Sequence, residues 1–201
     1  MRKRRLPHWE AGRATYFVTF RLADSLPQNV LSTFLFERQN IIATARQMNR
    51  ELSPSEGTRL KRLFSEQIER HLDAGTGERL LGKPGAAAIV TDALKHFDGQ
   101  RYDLLAWCVM PNHVHGMLRP CEGHRLSDIL HSWKSFTATR INRLLGRTGR
   151  LWQREYYDHL IRDEREFGRI IQYVLQNPAK AGLKRWPWVG MHGTEQAIGE
   201  E

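Results

Sequence analysis

Cysteine is scarce, with only Cys108 and Cys121 among 201 residues. Two thiols cannot build a disulfide framework, and they are expected to stay reduced in a cytosol. Long apolar runs are missing too. No stretch of about eighteen apolar residues occurs, so no membrane-spanning helix is expected. The basic start Met1-Arg2-Lys3-Arg4-Arg5 is followed by no apolar signal core. Repeats and low-complexity tracts are absent. The glycine loop Asp73–Glu78 lacks the G-K-[ST] ending, which excludes a P-loop nucleotide site. Acid is in deficit: 22 Asp and Glu stand against 31 Lys and Arg, a formal net charge of +9. That excess calls for a polyanionic partner, although charge alone does not choose between DNA, RNA and an acidic surface. With 40% hydrophobic and 26% charged residues, the chain reads as one soluble globular domain with room for a core.

What is present alternates strands and helices irregularly. Tyr16, Val18, Phe20 and Leu22 alternate with Phe17, Thr19 and Arg21, a strand with one apolar and one mixed face. Asp24-Ser25-Leu26-Pro27 breaks it. Helical spacing follows from Leu31 to about Arg50. A second helix is predicted after Ser53-Pro54, with Ser53 as cap. A third is expected over Ala86–Phe97. Leu104–Val109 is an apolar strand covered on both faces. Arg125–Leu145 carries a strong helical stripe, and Leu151–Ile161 reads as a strand. Asp163 then caps a last helix, with Glu166 at capping-box spacing. Its buried stripe is Phe167, Ile170, Ile171, Val174 and Leu175, which leaves Tyr173 off the core side, and Asn177-Pro178 ends it. The pattern implies an α+β layer, a mainly antiparallel sheet with helices packed on it.

The chemistry concentrates in Trp107-Cys108-Val109-Met110-Pro111-Asn112-His113-Val114-His115-Gly116. On a strand, His113 and His115 share a face and Val114 takes the other. Two imidazoles a few ångströms apart suit a divalent metal. Two hydrogen-bonded structural histidines are the bland alternative. Tyr173 and Asn177, four apart on one helix, are neighbours. They supply a hydroxyl and an amide oxygen.

His113-Val114-His115 within Val109–His115, followed by Tyr173-Val174-Leu175-Gln176-Asn177-Pro178-Ala179-Lys180-Ala181-Gly182-Leu183, resembles the REP-associated tyrosine transposases. These are single-tyrosine HUH transposases of the insertion-sequence 200/605 kind. Thr15–Leu22 looks like that family's first strand, and Leu151–His159 like its late strand. The resemblance runs from about Arg13 to Leu183.

The resemblance implies a ferredoxin-like HUH fold over residues 13–183, with a helical elaboration about 37–84. A basic arm (residues 1–12) would precede it and a tail (184–201) would follow. It implies a metal-dependent DNA nuclease and strand transferase acting at single-stranded, REP-type hairpin DNA through a 5′-phosphotyrosine. Tyr173 would be the nucleophile. His113 and His115 would be metal ligands with Asn177 as the third, and Mg or Mn the working ion. A monomer or a homodimer in a bacterial cytoplasm is implied, with no membrane association. DNA contacts are expected from Arg2, Lys3, Arg4, Arg5, Arg147, Arg150, Trp152 and Arg154. Each has a plainer reading: a solvated terminus for Arg2–Arg5, a flexible turn for Gly146–Arg150, and core packing for Trp152 and Tyr157. Tyr156 and Tyr157 are reserve nucleophiles, and Asp158 and His159 are possible auxiliaries. Two other functions stand beside the enzyme. One is a hairpin-DNA-binding protein that has lost cleavage. The other is a protein stabilised by zinc on Cys108, Cys121, His113 and His115, a spacing that fits no structural zinc pattern.

Overall fold

The alternation at Tyr16–Leu22 becomes the second strand in from one edge of a five-stranded sheet. A computed structural model describes residues 14–192 apart from 64–67, 69 and 74–76. The strands are β1 (Tyr16–Arg21), β2 (Tyr102–Val109), β3 (His113–Pro120), β4 (Tyr157–Leu160) and β5 (Val189–Met191), in spatial order β4-β1-β3-β2-β5. Every neighbouring pair is antiparallel. Helices α1 (Gln28–Gln47), α2 (Pro54–Leu63), α3 (Arg70–Asp73) and α4 (Pro84–Lys95) lie between β1 and β2, and α5 (Leu126–Leu144) lies between β3 and β4. The antiparallel α+β layer is the one the sequence pattern implied, and the β-α-β-β-α-β path with order 4-1-3-2 is the ferredoxin-like arrangement that the resemblance implied. After β4 come α6 (Glu164–Lys180) and the added edge strand β5.

The chain divides into two compact units. One spans Asp24–Arg79 and holds α1 to α3. Within it, Ser53 and Glu56 form the reciprocal capping box: Glu56 N donates to Ser53 Oγ at 3.2 Å, and Ser53 N to Glu56 Oε2 at 2.8 Å. Asp24–Pro27 ends β1, and α1 begins at Gln28.

The other unit holds the sheet, and the two faces of that sheet differ. Tyr16, Val18, Phe20, Leu22, Val114 and Leu118 point to α4 and α5, where Val90, Leu94, Leu126, Leu130 and Trp133 close the larger core. Phe17, Ala106, Cys108, Met110 and Met117 point the other way, under Val174 and the apolar side of α6. A β-bulge between Leu104 and Ala106 makes this possible on β2. One extra residue reverses the alternation, so Leu104 and then Trp107 and Val109 face the large core while Ala106 and Cys108 face α6. Tyr102 and Trp133 pair their buried polar groups on the large-core side. Trp133 Nε1 donates to Tyr102 Oη at 2.8 Å, and Tyr102 Oη donates to the Leu94 carbonyl at 2.8 Å.

Three local expectations change. The strand predicted over Leu151–Ile161 is regular only at Tyr157–Leu160, with an isolated bridge from Trp152 to Leu22. Lys134 Nζ takes the Gln153 and Arg154 carbonyls at 2.6 and 2.7 Å, so these two carbonyls are occupied by a lysine. α6 does not stop at Pro178 but runs through it to Lys180. Pro178 offers no N–H to the Val174 carbonyl, and termination falls just beyond it, to Gly182 in the left-handed region at φ +73°. Finally, the segment after residue 183 is partly in the sheet, because β5 pairs with β2 and Val109 N donates to the Trp188 carbonyl at 2.8 Å.

Candidate metal and tyrosine site

The β2–β3 hairpin sets the two histidines. Met110 N donates to the His113 carbonyl at 2.8 Å, which closes the turn through Pro111 and Asn112. His113 and His115 then fall on the α6 face of β3, as the H-x-H spacing predicted. Antiparallel register places Thr19 opposite His115 and Arg21 opposite His113 on β1. On the outer sides, Tyr157 sits opposite Thr19 and Cys108 opposite His115. Directly opposed residues share a face. Tyr157, Thr19, His115 and Cys108 therefore form one row across four strands, and Arg21 and His113 stand in the next.

Both imidazoles are fully buried. Their Nε2 atoms face each other at 2.9 Å. The other nitrogens are held from behind. His113 Nδ1 meets Asn112 Oδ1 at 2.7 Å, and His115 Nδ1 meets Thr19 Oγ1 at 2.8 Å. Burial drives the His115 pKa from 6.5 down to about 3. His113 is pushed well below 6.5 by burial first, then by His115 and by the Arg21 charge. Both rings are therefore neutral at physiological pH, the form that ligates a metal.

α6 brings the tyrosine. Phe167, Ile170, Ile171 and Val174 pack on the sheet cluster as the stripe predicted, and Tyr173 joins them half-buried, not off that side. The Tyr173 ring meets Phe17 at 5.8 Å and His115 at 5.2 Å between centroids, and Phe17 stacks on His115 at 5.5 Å. Tyr173 Oη lies 3.4 Å from His115 Nε2, across 58 positions of sequence. The exposed Lys180 sets its Nζ 5.6 Å from the centre of the same phenol ring. Asp163 Oδ1 caps α6 by accepting from Glu166 N at 2.7 Å, as predicted. The Glu166 carboxylate does not return to the cap. It accepts from Arg162 N at 3.1 Å and pairs with His159 Nε2 at 2.9 Å.

The residues present fit a divalent ion. Asn177 is 2% exposed, and its Oδ1 has no hydrogen-bond partner among the described residues. A buried carbonyl oxygen left so is costly unless a ligand satisfies it. Imidazole nitrogens suit Zn, and the amide oxygen admits Mn. Among the described residues no cluster of three or more His, Cys, Asp or Glu side chains could hold a metal.

Other sequence candidates fall elsewhere. Trp152 is 4% exposed, with Nε1 donating to Thr137 Oγ1 at 2.9 Å and its ring against Phe20 at 4.9 Å. It is core, not a DNA-stacking platform, because its side chain turns to the α5 face. Tyr156 is buried on that same face, away from the histidines, whereas Tyr157 is on theirs. Arg147 and Arg150 follow α5, which covers the opposite face. Their loop is closed by Asn142 Nδ2 donating to the Gly149 carbonyl at 2.9 Å. Arg154 is exposed beside the Lys134 contact. Arg2, Lys3, Arg4 and Arg5 lie outside the described residues. Sequence reasoning missed Thr19, Arg21 and Asn112. The mixed face Phe17-Thr19-Arg21 was the only signal for the first two, whose cross-strand partners require the sheet order, and Asn112 stood next to His113 in the quoted stretch.

Residues 87–177 match the model of the transposase IS200-like family. The match includes both histidines, Tyr173 and Asn177, and leaves out β1. A relative from Haemophilus influenzae with the provisional name REP-associated tyrosine transposase is 28% identical over 105 residues, 45% of this chain and 60% of that protein. The REP-associated tyrosine transposase of Escherichia coli is 25% identical over 95 residues, 45% of this chain and 55% of that protein. The chain thus matches little more than half the length of these curated relatives. Among solved structures, a REP-associated tyrosine transposase bound to a REP hairpin aligns at TM-score 0.48 and 15% identity, covering 100% of this chain and 98% of that one. No helix among the described residues is long and apolar enough to cross a membrane.

Proposed function

We propose that this chain nicks and rejoins single-stranded DNA next to hairpins, through a covalent link between Tyr173 and a 5′ phosphate. The observation that carries the reading is the meeting of Tyr173 Oη with His115 Nε2, and of His115 Nε2 with His113 Nε2, between elements 58 residues apart. An arbitrary H-x-H and an arbitrary helical tyrosine have no reason to converge in one buried corner. The matched transposase family and the net charge of +9 support DNA as the polyanion.

In the proposed step the Tyr173 oxygen bonds to phosphorus in line with the scissile bond. The bond from phosphorus to the 3′ oxygen breaks, the phenol gives up its proton, and the departing oxygen leaves as a 3′ hydroxyl. A divalent ion on His113, His115 and Asn177 would act as a Lewis acid on the phosphate. Val174 and Phe17 hold the helix and the ring in place, so the phenol is positioned before DNA arrives. The phosphodiester energy is kept in the tyrosyl link, so rejoining needs no nucleotide.

The test is Tyr173→Phe with a labelled single-stranded hairpin and Mn2+. Wild type should give a protein–DNA band that survives boiling in detergent, mapped to Ile171–Lys180. The variant should keep its melting temperature and its hairpin affinity and lose both cleavage and band. An adduct on Tyr157 would move the nucleophile to β4. Cleavage with no adduct would replace the tyrosine by an activated water and end this reading.

A further inference from the structure

Two neutral imidazoles that share one hydrogen bond cannot both be ready for a metal. Each ring carries one proton. The contact between His113 Nε2 and His115 Nε2 at 2.9 Å holds one of them. Asn112 Oδ1 only accepts, so the proton of His113 is on Nδ1 and its Nε2 lone pair is free to accept. His115 must then supply the shared proton from its own Nε2. Its Nδ1 is left as an acceptor, and the partner there is a hydroxyl, Thr19 Oγ1, at 2.8 Å. His113 is preset for a metal, and His115 is in the opposite tautomer.

We infer that Thr19 is a positioning residue that lets His115 change tautomer: its hydroxyl donates to Nδ1 in the metal-free chain and accepts from Nδ1–H when Nε2 turns to a metal. A hydroxyl can do both, because it carries one donor and two acceptor lone pairs. A carboxylate or carbonyl at this position would lock His115 in the metal-ready form, and an amide N–H would lock it out. The site is therefore self-capped: the histidine pair satisfies itself when empty and releases one lone pair on demand. Thr19 and both rings are fully buried, so bulk solvent does not stand beside His115 Nδ1. Thr19 lies on β1, outside the stretch that matches the transposase family. This inference rests on the metal reading above.

The test uses the full chain and two metals. Ring-nitrogen NMR of the metal-free protein should show His113 protonated on Nδ1 and His115 on Nε2. With Zn2+ as a diamagnetic probe, both rings should carry Nδ1–H. Mn2+ affinity, read by the loss of the free-ion paramagnetic resonance signal, should fall about 10- to 100-fold in Thr19→Val, the range for loss of an outer partner of a metal histidine. Thr19→Ser should keep wild-type affinity, which separates a lost hydroxyl from a disturbed strand. A metal-free His115 already protonated on Nδ1, or a Thr19→Val chain that binds Mn2+ as tightly as wild type, overturns the inference and leaves the nicking reading standing. A wild-type chain that binds no Mn2+ overturns the metal site itself and this inference with it.

Discussion

Burying two neutral histidines makes stability depend on pH in a defined window. In the unfolded chain a histidine takes up its proton near pH 6.5. In the folded chain His115 resists until about pH 3, and His113 is held well below 6.5, chiefly by burial. Above pH 6.5 neither state binds the proton, and the groups contribute nothing to the pH dependence. Below it the unfolded state binds more protons, so acid pulls the equilibrium toward unfolding. The slope is about 1.36 kcal/mol per pH unit for each histidine that stays neutral. Over the 1.5 units from pH 6.5 to 5 that is about 2 kcal/mol for His115, and about 4 kcal/mol is the ceiling for the pair. Against a typical stability of about 5–15 kcal/mol this is a large fraction. The assay is urea unfolding in chelator at several pH values, on wild type and on His113→Gln/His115→Gln. Carboxylates titrate in both proteins and cancel in the comparison. Wild type should lose about 2–4 kcal/mol more than the variant between pH 6.5 and 5. Equal slopes would refute the reasoning, because they would mean the imidazoles take up protons without unfolding, in a site open to water.

Three further outcomes are expected. DNA affinity should fall steeply with salt, by about 10³–10⁵ between 50 and 200 mM if six to ten phosphates are contacted; a flat response in a filter-binding titration would remove the electrostatic argument. Asp163→Ala should cost about 1 kcal/mol by removing the 2.7 Å cap of α6, and hydrogen exchange should rise first in the turn before Phe167; unchanged exchange there would mean Glu166 and His159 hold the turn by themselves. Gly190→Ala would set a Cβ 3.0–3.1 Å from the Trp107 ring, so a loss of about 1–3 kcal/mol in thermal unfolding is expected; no loss would show that β5 is not tightly seated on the sheet.

The sequence made some of this site legible and hid the rest for physical reasons. A two-residue period fixes which side chains share a face, so the His113–His115 pairing needed nothing beyond the letters. A four-residue spacing on a helix did the same for Tyr173 and Asn177. The cross-strand partners were hidden, because Thr19 meets His115 only once β1 is known to lie next to β3. The face of Trp152 was hidden as well. Its segment is irregular, so no alternation assigns it, and the 2.9 Å bond to Thr137 is formed 15 residues away. The buried side of α6 was misread by choosing Leu175 over Tyr173, since Leu is the more apolar residue. The helix instead turns Tyr173 inward because aromatic partners, Phe17 and His115, wait there.

That inward turn also bears on how the corner is assembled. His113, His115 and Asn112 are fixed by a hairpin whose contacts span a few residues, so they form together with the local turn. Thr19 arrives from 96 positions away and Tyr173 from 58. The ligand pair is thus prepared by short-range structure, while the tautomer partner and the nucleophile depend on the completed sheet and on α6. α6 is held to the sheet by a small cluster in which Val174 is the one fully enclosed aliphatic side chain of the helix. The larger core lies on the other face. A helix seated on the lesser core opens more readily than the sheet beneath it. The sheet thus has a heavily packed face and a lightly packed one, and the bulge at Leu104–Ala106 turns Ala106 and Cys108, both small, toward the lighter side.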